Sequence, residues 1–256
     1  MYNLDTVFDL IAGARIPEWD KERVALAVEK AVTAWVEPDL REGWRVVAVE
    51  RSGQDPAPHK IDLVLEKAGR WKIVDWKTKN TGKLDDRWRM RELRSPQGRI
   101  YAASMASAYG VDVFPVTIEI RGLAPSDDSV QTASVSYRVE EHEAARVVSE
   151  FTQLNTLKNS LDPSKPWPRS PLGCQVYGPM YACEFEGVCW RGDAPPRGQW
   201  TNRALSFSAA QEFLRCPERY RLLVLSEGED EDENDRTAVG TVFHQAMEAI
   251  YRQLVS

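Results

Sequence analysis

Two carboxylates and a lysine occur at a spacing that suits phosphodiester chemistry. Asp62 lies in one apolar run of the segment 59–79, and Asp75 and Lys77 lie in a second run, after a turn at 68–70. Apolar and polar residues alternate in these runs, which predicts two adjacent antiparallel strands with Asp62 and Asp75 at one end and Asp75 and Lys77 on one face. Two carboxylates beside an ammonium form a hard oxygen site for Mg²⁺ or Mn²⁺. The pattern predicts metal-assisted hydrolysis, in which Lys77 orients water or stabilises transition-state charge.

A helix after the hairpin could add two polar groups to this site. Ser95 and Pro96 are typical of a helix N-cap and first turn, and helical spacing then places Gln97 and Tyr101 on one stripe. Each signal also has a simpler interpretation when taken alone. An isolated Asp-x-Lys is usually a solvated pair on an edge strand, and an isolated Tyr101 would be an amphipathic core tyrosine.

Taken together, these residues resemble the RecB-type branch of the PD-(D/E)xK nuclease superfamily, which includes AddB and the CRISPR adaptation exonucleases. That family carries an upstream Asp, then [I/V]-x-D-[Y/W]-K-[T/S], then a helix bearing QxxxY. The residues at the matching positions are Asp62, Asp75, Lys77, Gln97 and Tyr101. The resemblance implies that Gln97 and Tyr101 line the DNA side of the site.

The resemblance also implies the metal ligands and the fold. The ligands would be Asp62, Asp75 and the backbone carbonyl of Trp76, and Lys77 would be catalytic. The implied fold is α/β, a restriction-endonuclease-like core with a central mixed β-sheet flanked by helices, followed by a Cys-rich C-terminal segment.

The rest of the chain supplies elements for such a core. At 256 residues and 43% hydrophobic content, the chain can bury one sizeable core, so one main domain is expected. Apolar spacing predicts helices over 20–36 and 140–158, and apolar alternation predicts strands over 44–49, 111–120 and 132–139.

Charge distribution indicates where a nucleic acid would bind. The net charge is −6, yet residues 67–99 carry eleven Lys or Arg against four acids, beside the predicted catalytic hairpin. Residues 227–235 hold seven acids in nine positions, which is typical of a solvated loop. The sequence shows neither a long apolar run nor a signal peptide, so we expect a cytoplasmic protein with no membrane partner.

The four cysteines all lie in the last third of the chain. Cys174, Cys183 and Cys189 fall in an aperiodic loop, and Cys216 follows on a predicted helix. In a reducing cytoplasm we expect a metal or iron-sulfur centre here rather than disulfides. An alternative for Cys216 is a small buried apolar residue.

Two segments around these cysteines resemble the cysteine motifs of iron-sulfur RecB-type nucleases, GCQVYGPMYACEFEGVCW and SFSAAQEFLRCPERYRL. The resemblance implies that all four cysteines hold a [4Fe-4S] cluster. One departure is that Cys174 and Cys183 are separated by eight residues, where the family usually has two. Zn²⁺ would accept four thiolates equally well.

The segment 240–251, GTVFHQAMEAIY, resembles the family's GxxxH-x-x-x-E helix, whose histidine reaches the catalytic metal. In the family this helix precedes the nuclease strands, whereas here it follows them. Either the domain is circularly permuted and His244 returns to the site of Asp62 and Asp75, or the chain ends within a second, truncated copy. We expect the second arrangement, because the sequence stops directly after the motif, and His244 is a metal ligand only in the first.

These observations predict a nuclease core at 1–165, a Cys-rich loop at 166–200 and a helical segment at 201–256. The predicted function is a Mg²⁺- or Mn²⁺-dependent DNA exonuclease acting on single-stranded or free ends. Recombination, repair or CRISPR adaptation would be its setting, with a helicase or recombination protein as partner. The alternative is a catalytically inactive DNA-binding or scaffolding module of the same fold.

Overall fold

The computed structural model describes residues 2–79, 83–125, 129–170, 183, 185–191, 193–196, 200, 204–226 and 235–255. The chain divides into two compact units. A sheet unit comprises Met1–Asp55, His59–Val147 and Glu233–Ser256, and a helical unit comprises Pro56–Pro58 and Val148–Asp232. Among the described residues, no helix has both the length and the apolar character needed to cross a membrane.

A five-stranded mixed sheet organises the sheet unit and confirms the predicted fold class. Its spatial order follows the chain, with antiparallel pairs between the first and second, second and third, and fourth and fifth strands, and a parallel pair between the third and fourth. The strands are β1 (Arg45–Gly53), β2 (His59–Lys67), β3 (Arg70–Thr78), β4 (Val116–Pro125) and β5 (Val130–Val139).

Helices form the rest of both units, and two of them connect the parallel strands of the sheet. In the sheet unit they are α1 (Leu4–Gly13), α2 (Glu18–Ala31), α3 (Glu37–Arg41), α4 (Asp86–Arg94), α5 (Gln97–Tyr109) and α9 (Asp235–Arg252), with a π-helical turn at Val32–Val36. In the helical unit they are α7 (Phe207–Arg215) and α8 (Pro217–Ser226), and α6 (Glu141–Asn159) runs from one unit into the other. The connection from β3 to β4 through α4 and α5 is the helical crossover that a parallel pair requires.

One predicted strand begins later than its sequence pattern suggests. The prediction was a strand over 111–120, but Val111–Val113 form a 3₁₀ turn and β4 begins at Val116. Pro115 has no backbone N–H to donate to a neighbouring strand, so the ladder starts after it. β4 then continues to Pro125, because beyond Leu123 it stays paired with β5, whose first residue Val130 lies opposite Pro125.

Two apolar clusters cover the two faces of the sheet. One joins α1, α2 and α9 to side chains of β2 and β3, and the other joins α4 and α5 to the opposite face. The buried residues that α9 contributes are Val239, Val242, Phe243, Ala246, Met247, Ile250 and Tyr251. The last helix of the chain is therefore part of the core that supports the sheet.

The strict alternation predicted for β2 fails at one point. Ile61, Leu63 and Leu65 were expected on one face, but Ile61 packs in the cluster on the α5 side while the two leucines pack on the α9 side. The change of face occurs at Asp62, opposite Glu50 of β1, whose φ of 53° departs from strand geometry. The strands are therefore irregular at the predicted metal ligand.

A buried ion network ties α3 to the sheet. Lys72 Nζ lies 2.6 Å from Asp39 Oδ1 and 3.2 Å from Glu119 Oε2. The Arg121 guanidinium lies 2.7 Å from Asp39 Oδ2 and 3.0 Å from Glu119 Oε1, and it donates to the Tyr251 hydroxyl of α9 at 3.2 Å. Two cations thus balance two carboxylates. Burial opposes the charged form of Glu119, but Arg121 and Lys72 outweigh it and lower the pKa of Glu119.

Aromatic side chains form the interior of the helical unit. Trp167, Trp200, Phe213 and Tyr220 contact one another with ring centroids 5.0 to 6.4 Å apart. The buried Glu218 accepts from the Trp167 backbone N–H at 2.7 Å, and its pair with Arg221 compensates its charge. Such edge-to-face packing suits aromatic quadrupoles.

We predict that Arg121→Met lowers the free energy of unfolding by about 3–5 kcal/mol, because Asp39 and Glu119 then share only Lys72. Urea denaturation measures this change. The matched control is Arg45→Met, which breaks an exposed pair with Glu66 and should change the free energy of unfolding far less, because solvent screens that pair. Equal losses from the two changes would show that the buried network does not stabilise the fold.

Candidate active site

The candidate site lies where β2 and β3 part. Their ladder ends at the pair Leu63 and Val74. Beyond it β2 stays paired with β1, while β3 stays paired with β4. Asp62 and Asp75, the next residues on the two strands, therefore lie at the mouth of a fork in the sheet, as the hairpin register predicted.

Asp62 reaches across this fork. Its Oδ2 accepts a hydrogen bond of 2.7 Å from the backbone N–H of Trp76, and its side chain is 11% exposed. The N–H and C=O of one strand residue point to the same edge of the strand. The Trp76 carbonyl therefore points into the fork as well, which is the direction that its predicted role as a metal ligand requires.

Asp75, Lys77, Gln97 and Tyr101 form one connected polar group. Lys77 Nζ lies 2.7 Å from Asp75 Oδ2 and donates to Gln97 Oε1 at 3.1 Å. Gln97 Nε2 donates to the Tyr101 hydroxyl, which donates to Asp75 Oδ1 at 3.2 Å. The stripe predicted on α5 thus meets the Asp-x-Lys segment of β3. Gly98 permits this approach, because a Cβ there would lie 2.8 Å from the Ile118 side chain of β4.

Burial sets the electrostatics of this group. It raises the pKa of Asp75; Lys77 lowers that pKa, and the negative charge of Asp62 raises it again. Burial alone would lower the pKa of Lys77, but Asp75 and the other nearby carboxylates leave it raised. Burial and the two aspartates also raise the pKa of Tyr101. At neutral pH, Lys77 is therefore a cation, and the Tyr101 hydroxyl keeps its proton and donates a hydrogen bond.

His244 enters the fork from α9, on the opposite face of the sheet from α5. Its Nδ1 lies 3.6 Å from Asp62 Oδ1. One turn earlier, a Cβ on Gly240 would lie 2.8 Å from Thr78 Oγ1, so glycine lets α9 approach the end of β3. In the GTVFH segment, Gly240 thus allows α9 to pack closely, and His244 places an imidazole at the fork.

Glu50 of β1 also reaches this group, and sequence reasoning missed it. Ligand atoms of Glu50, Asp62 and His244 all lie within 4.8 Å of one another, and no other His, Cys, Asp or Glu trio in the described ranges does so. Glu50 ends an apolar run and matches no motif. Its position opposite Asp62 in the β1–β2 ladder could have identified it, but that position is known only once the register of the two strands is known.

These residues fit a divalent metal. Carboxylate oxygens, a backbone carbonyl and one imidazole are donors that Mg²⁺ and Mn²⁺ accept. The buried Asp75 carboxylate has a raised pKa and lies near Asp62, so a cation between them would favour the ionised form of both. A cavity of about 480 Å³ gives access on the α9 side, and its lining includes Glu50, Asp62 and His244.

Cys183, Cys189 and Cys216 belong to the helical unit. Cys189 and Cys216 are buried and Cys183 is half-buried; none of the three is in a disulfide. Burial raises the pKa of Cys189, and the thiols of Cys216 and Cys183 add to that shift. The sulfur atoms of these three residues do not all lie within 4.8 Å of one another, and Cys174 falls outside the described residues, as do 171–182, 184, 192 and 197–199 of the predicted Cys-rich loop.

A comparison with protein families agrees with this geometry. A family model described as the PD-(D/E)XK nuclease superfamily matches residues 4–190 and 204–256, which is most of the chain. No curated protein and no solved structure matches this chain. Members of the superfamily are generally metal-dependent nucleases. The chain therefore belongs to the PD-(D/E)XK nuclease superfamily.

Proposed function

We propose that this protein is a Mg²⁺- or Mn²⁺-dependent deoxyribonuclease that hydrolyses phosphodiester bonds at the fork between β2 and β3. The observation that carries the proposal is the convergence of Asp62, Asp75 and Lys77 on one buried edge, with His244 arriving from the other face. When bound, the cation would supply Lewis-acid stabilisation of charge on the phosphoryl group. We propose Asp62, Asp75, the Trp76 carbonyl and His244 as its ligands, of which Asp62 and His244 belong to the trio that converges in the structure.

Lys77 acts on the nucleophile or on developing charge. Asp75 and Gln97 hold its ammonium between them, so it is fixed before substrate arrives. A preorganised cation of this kind orients an attacking water or stabilises the negative transition state without a reorganisation cost. Tyr101 keeps Asp75 in place by donating to it, which leaves the other carboxylate oxygen facing Lys77.

Helix α4 supplies the surface that we assign to the DNA backbone. Trp88 and Glu92 face inward, and Glu92 contributes to the raised pKa of Lys77, which places α4 beside the site. The exposed basic residues of the helix are Arg87, Arg89, Arg91 and Arg94. Guanidinium groups at this density, next to a phosphodiester-cleaving centre, suit contact with phosphates.

The position of α9 favours a permuted domain over a truncated second copy. The helix packs in the same core as β2 and β3, and His244 lies beside Asp62. We therefore propose that the last segment of the chain completes the first active site, contrary to the arrangement that the sequence favoured. Permutation is tolerated where chain ends lie close together, and here Asn3 and Gln253 exchange hydrogen bonds.

The finer features of the proposal rest on the resemblance to RecB-type nucleases. They are exonuclease action on single-stranded or free DNA ends, a role in recombination, repair or CRISPR adaptation, a helicase or recombination partner, and a cytoplasmic location. A second cofactor belongs with them, a [4Fe-4S] cluster or Zn²⁺ held by the four cysteines. Its support is that Cys183, Cys189 and Cys216 all lie in the helical unit and that Cys183 and Cys189 pack in one apolar cluster.

An inactive DNA-binding module remains the alternative function. We expect Asp75→Asn and Lys77→Met each to reduce Mg²⁺-dependent cleavage of end-labelled linear DNA by about 10²- to 10³-fold, because each removes a preorganised charge at the reacting phosphate. Gel analysis of product lengths also distinguishes stepwise removal of nucleotides from internal cutting. A chelator should abolish the activity, and added Mg²⁺ or Mn²⁺ should restore it.

The matched control for Lys77→Met is Lys165→Met, which removes an exposed lysine of the helical unit and should leave cleavage unchanged. Full activity of either site variant would contradict the mechanism. A wild-type protein that binds linear DNA but cleaves none with either metal would support the inactive module.

The cysteine site has a separate test. Protein purified without oxygen should be brown and contain about four iron atoms per chain if a [4Fe-4S] cluster is present. Cys189→Ser and Cys216→Ser should each lose the metal and make the helical unit more sensitive to protease, because the loop depends on the metal for folding. Leu214→Ser, a change at an exposed residue of α7, is the control that should retain both properties.

Two other results would revise this assignment. Colourless protein with about one zinc per chain would keep the four-thiolate site and replace iron by zinc. Unchanged metal content and protease resistance in Cys216→Ser would remove Cys216 from the ligand set, and it would then be a buried apolar residue of the helical unit.

A further inference from the structure

Glu50 has surroundings that a solvated strand carboxylate does not have. Its side chain is 7% exposed, and it faces the cavity that Asp62 and His244 also line. In the β1–β2 ladder, the pairs on either side of it are Val49 with Leu63 and Arg51 with Ile61, so Glu50 lies opposite Asp62. Like charges directly opposite each other on paired strands are destabilising.

A cation between these residues would remove that repulsion. Glu50 and Asp62 offer carboxylate oxygens and His244 offers a ring nitrogen, all within 4.8 Å of one another. Ligands of one metal ion at distances of 2.0 to 2.6 Å lie within about this separation. The group thus combines two hard oxygen donors with an imidazole, in a water-accessible cavity.

Lys60 pairs with Glu50 in the structure. Its ammonium forms an ion pair with the Glu50 carboxylate, while its own side chain is 58% exposed. The buried Glu50 carboxylate needs a cationic partner, and the exposed Lys60 ammonium can return to water when a divalent cation takes its place. Lys60 is therefore placed to neutralise Glu50 until a stronger cation binds.

We propose that Glu50 is a further ligand of the catalytic cation, sharing it with Asp62 and His244, and that Lys60 competes with this cation for the Glu50 carboxylate. The proposal rests on the proposed metal-dependent nuclease function and adds a β1 residue to its site. A ligand role also accounts for the irregular backbone at Glu50. The positive φ of Glu50 turns the chain at the point where its side chain meets Asp62.

The test is calorimetric titration of the full chain with MnCl₂ in the absence of DNA. Glu50→Gln preserves side-chain volume and should weaken Mn²⁺ binding by at least about tenfold, the low end of what supporting residues of metal sites cost. Lys60→Gln should tighten binding by at least about fivefold, because the metal then no longer displaces an ammonium from the Glu50 carboxylate, and even an exposed ion pair can be worth about that factor. Combined with Glu50→Gln, the Lys60 change should have no further effect, since its partner is gone.

Glu66→Gln is the matched control. Glu66 is a carboxylate of β2 that, like Glu50, pairs with a basic side chain, and the change removes the same unit charge, but Glu66 belongs neither to the cavity lining nor to the converging trio. Its Mn²⁺ affinity should stay within about twofold of wild type, as expected for a screened charge outside the site. Equal weakening by both changes would mean that Glu50 acts only through the overall charge of the protein, and the proposal would fail.

Further outcomes separate this proposal from the function itself. If the wild type binds Mn²⁺ and cleaves DNA while Glu50→Gln binds Mn²⁺ equally well, only the role of Glu50 is wrong. If the wild type does neither, the proposed nuclease function fails first. Unchanged affinity in Lys60→Gln would refute the competition. Thermal unfolding without metal checks that each variant is folded. Glu50→Gln removes the repulsion between the Glu50 and Asp62 carboxylates, so it should not lower the unfolding temperature.

Discussion

The parting of β2 from β3 is the constraint on which the site depends. An ordinary antiparallel pair would have used the polar backbone groups of Trp76 in its ladder and filled the space between the strands. Because the ladder stops at Leu63 and Val74, Asp62 can accept the Trp76 N–H with its side chain, and the Trp76 carbonyl is left facing the same gap. The fork creates both the opening and part of the donor set.

Each face of the sheet brings a different chemistry to this gap. From one face, α5 delivers Gln97 and Tyr101 to Asp75 and Lys77 and fixes them by hydrogen bonds. From the other, α9 delivers His244 to Asp62. The apolar clusters behind each helix make these approaches rigid. The site thus has a side where hydrogen bonds orient the charged groups and a side where the imidazole joins the proposed metal ligands, with the two aspartates between them.

The buried ion network holds the end of α9 in position against the sheet. Arg121 lies between Trp35 and Trp76, pairs with Asp39 and Glu119, and donates to Tyr251, two turns beyond His244. A buried arginine needs all of these partners, since an uncompensated charge in the core is costly. The network therefore fixes α3, the sheet and the end of α9 relative to one another.

Sequence by itself determined the local chemistry. Alternation and turn residues are short-range properties, so the hairpin and the shared face of Asp75 and Lys77 could be predicted. The start of α5 could be predicted to within one residue, since Pro96 is the N-cap of the helix and not part of its first turn. The resemblance carried by these motifs is confirmed for the PD-(D/E)XK superfamily, as is the α/β fold class, while the RecB-type branch stays a prediction. Short-range patterns carry no information on which distant segment completes a site, and so the role of the GTVFH segment stayed open.

Tertiary structure decided the long-range relations. It placed His244 beside Asp62 across a sequence separation of 182 positions, because the apolar stripe of α9 is buried on the same sheet face as Leu63 and Trp76. It brought Glu50 to the site through strand register, which a lone acid at the end of an apolar run does not reveal. It also moved Ile61 to the opposite face, since the irregular backbone at Glu50 and Asp62 breaks the period of two on which sequence reasoning depends.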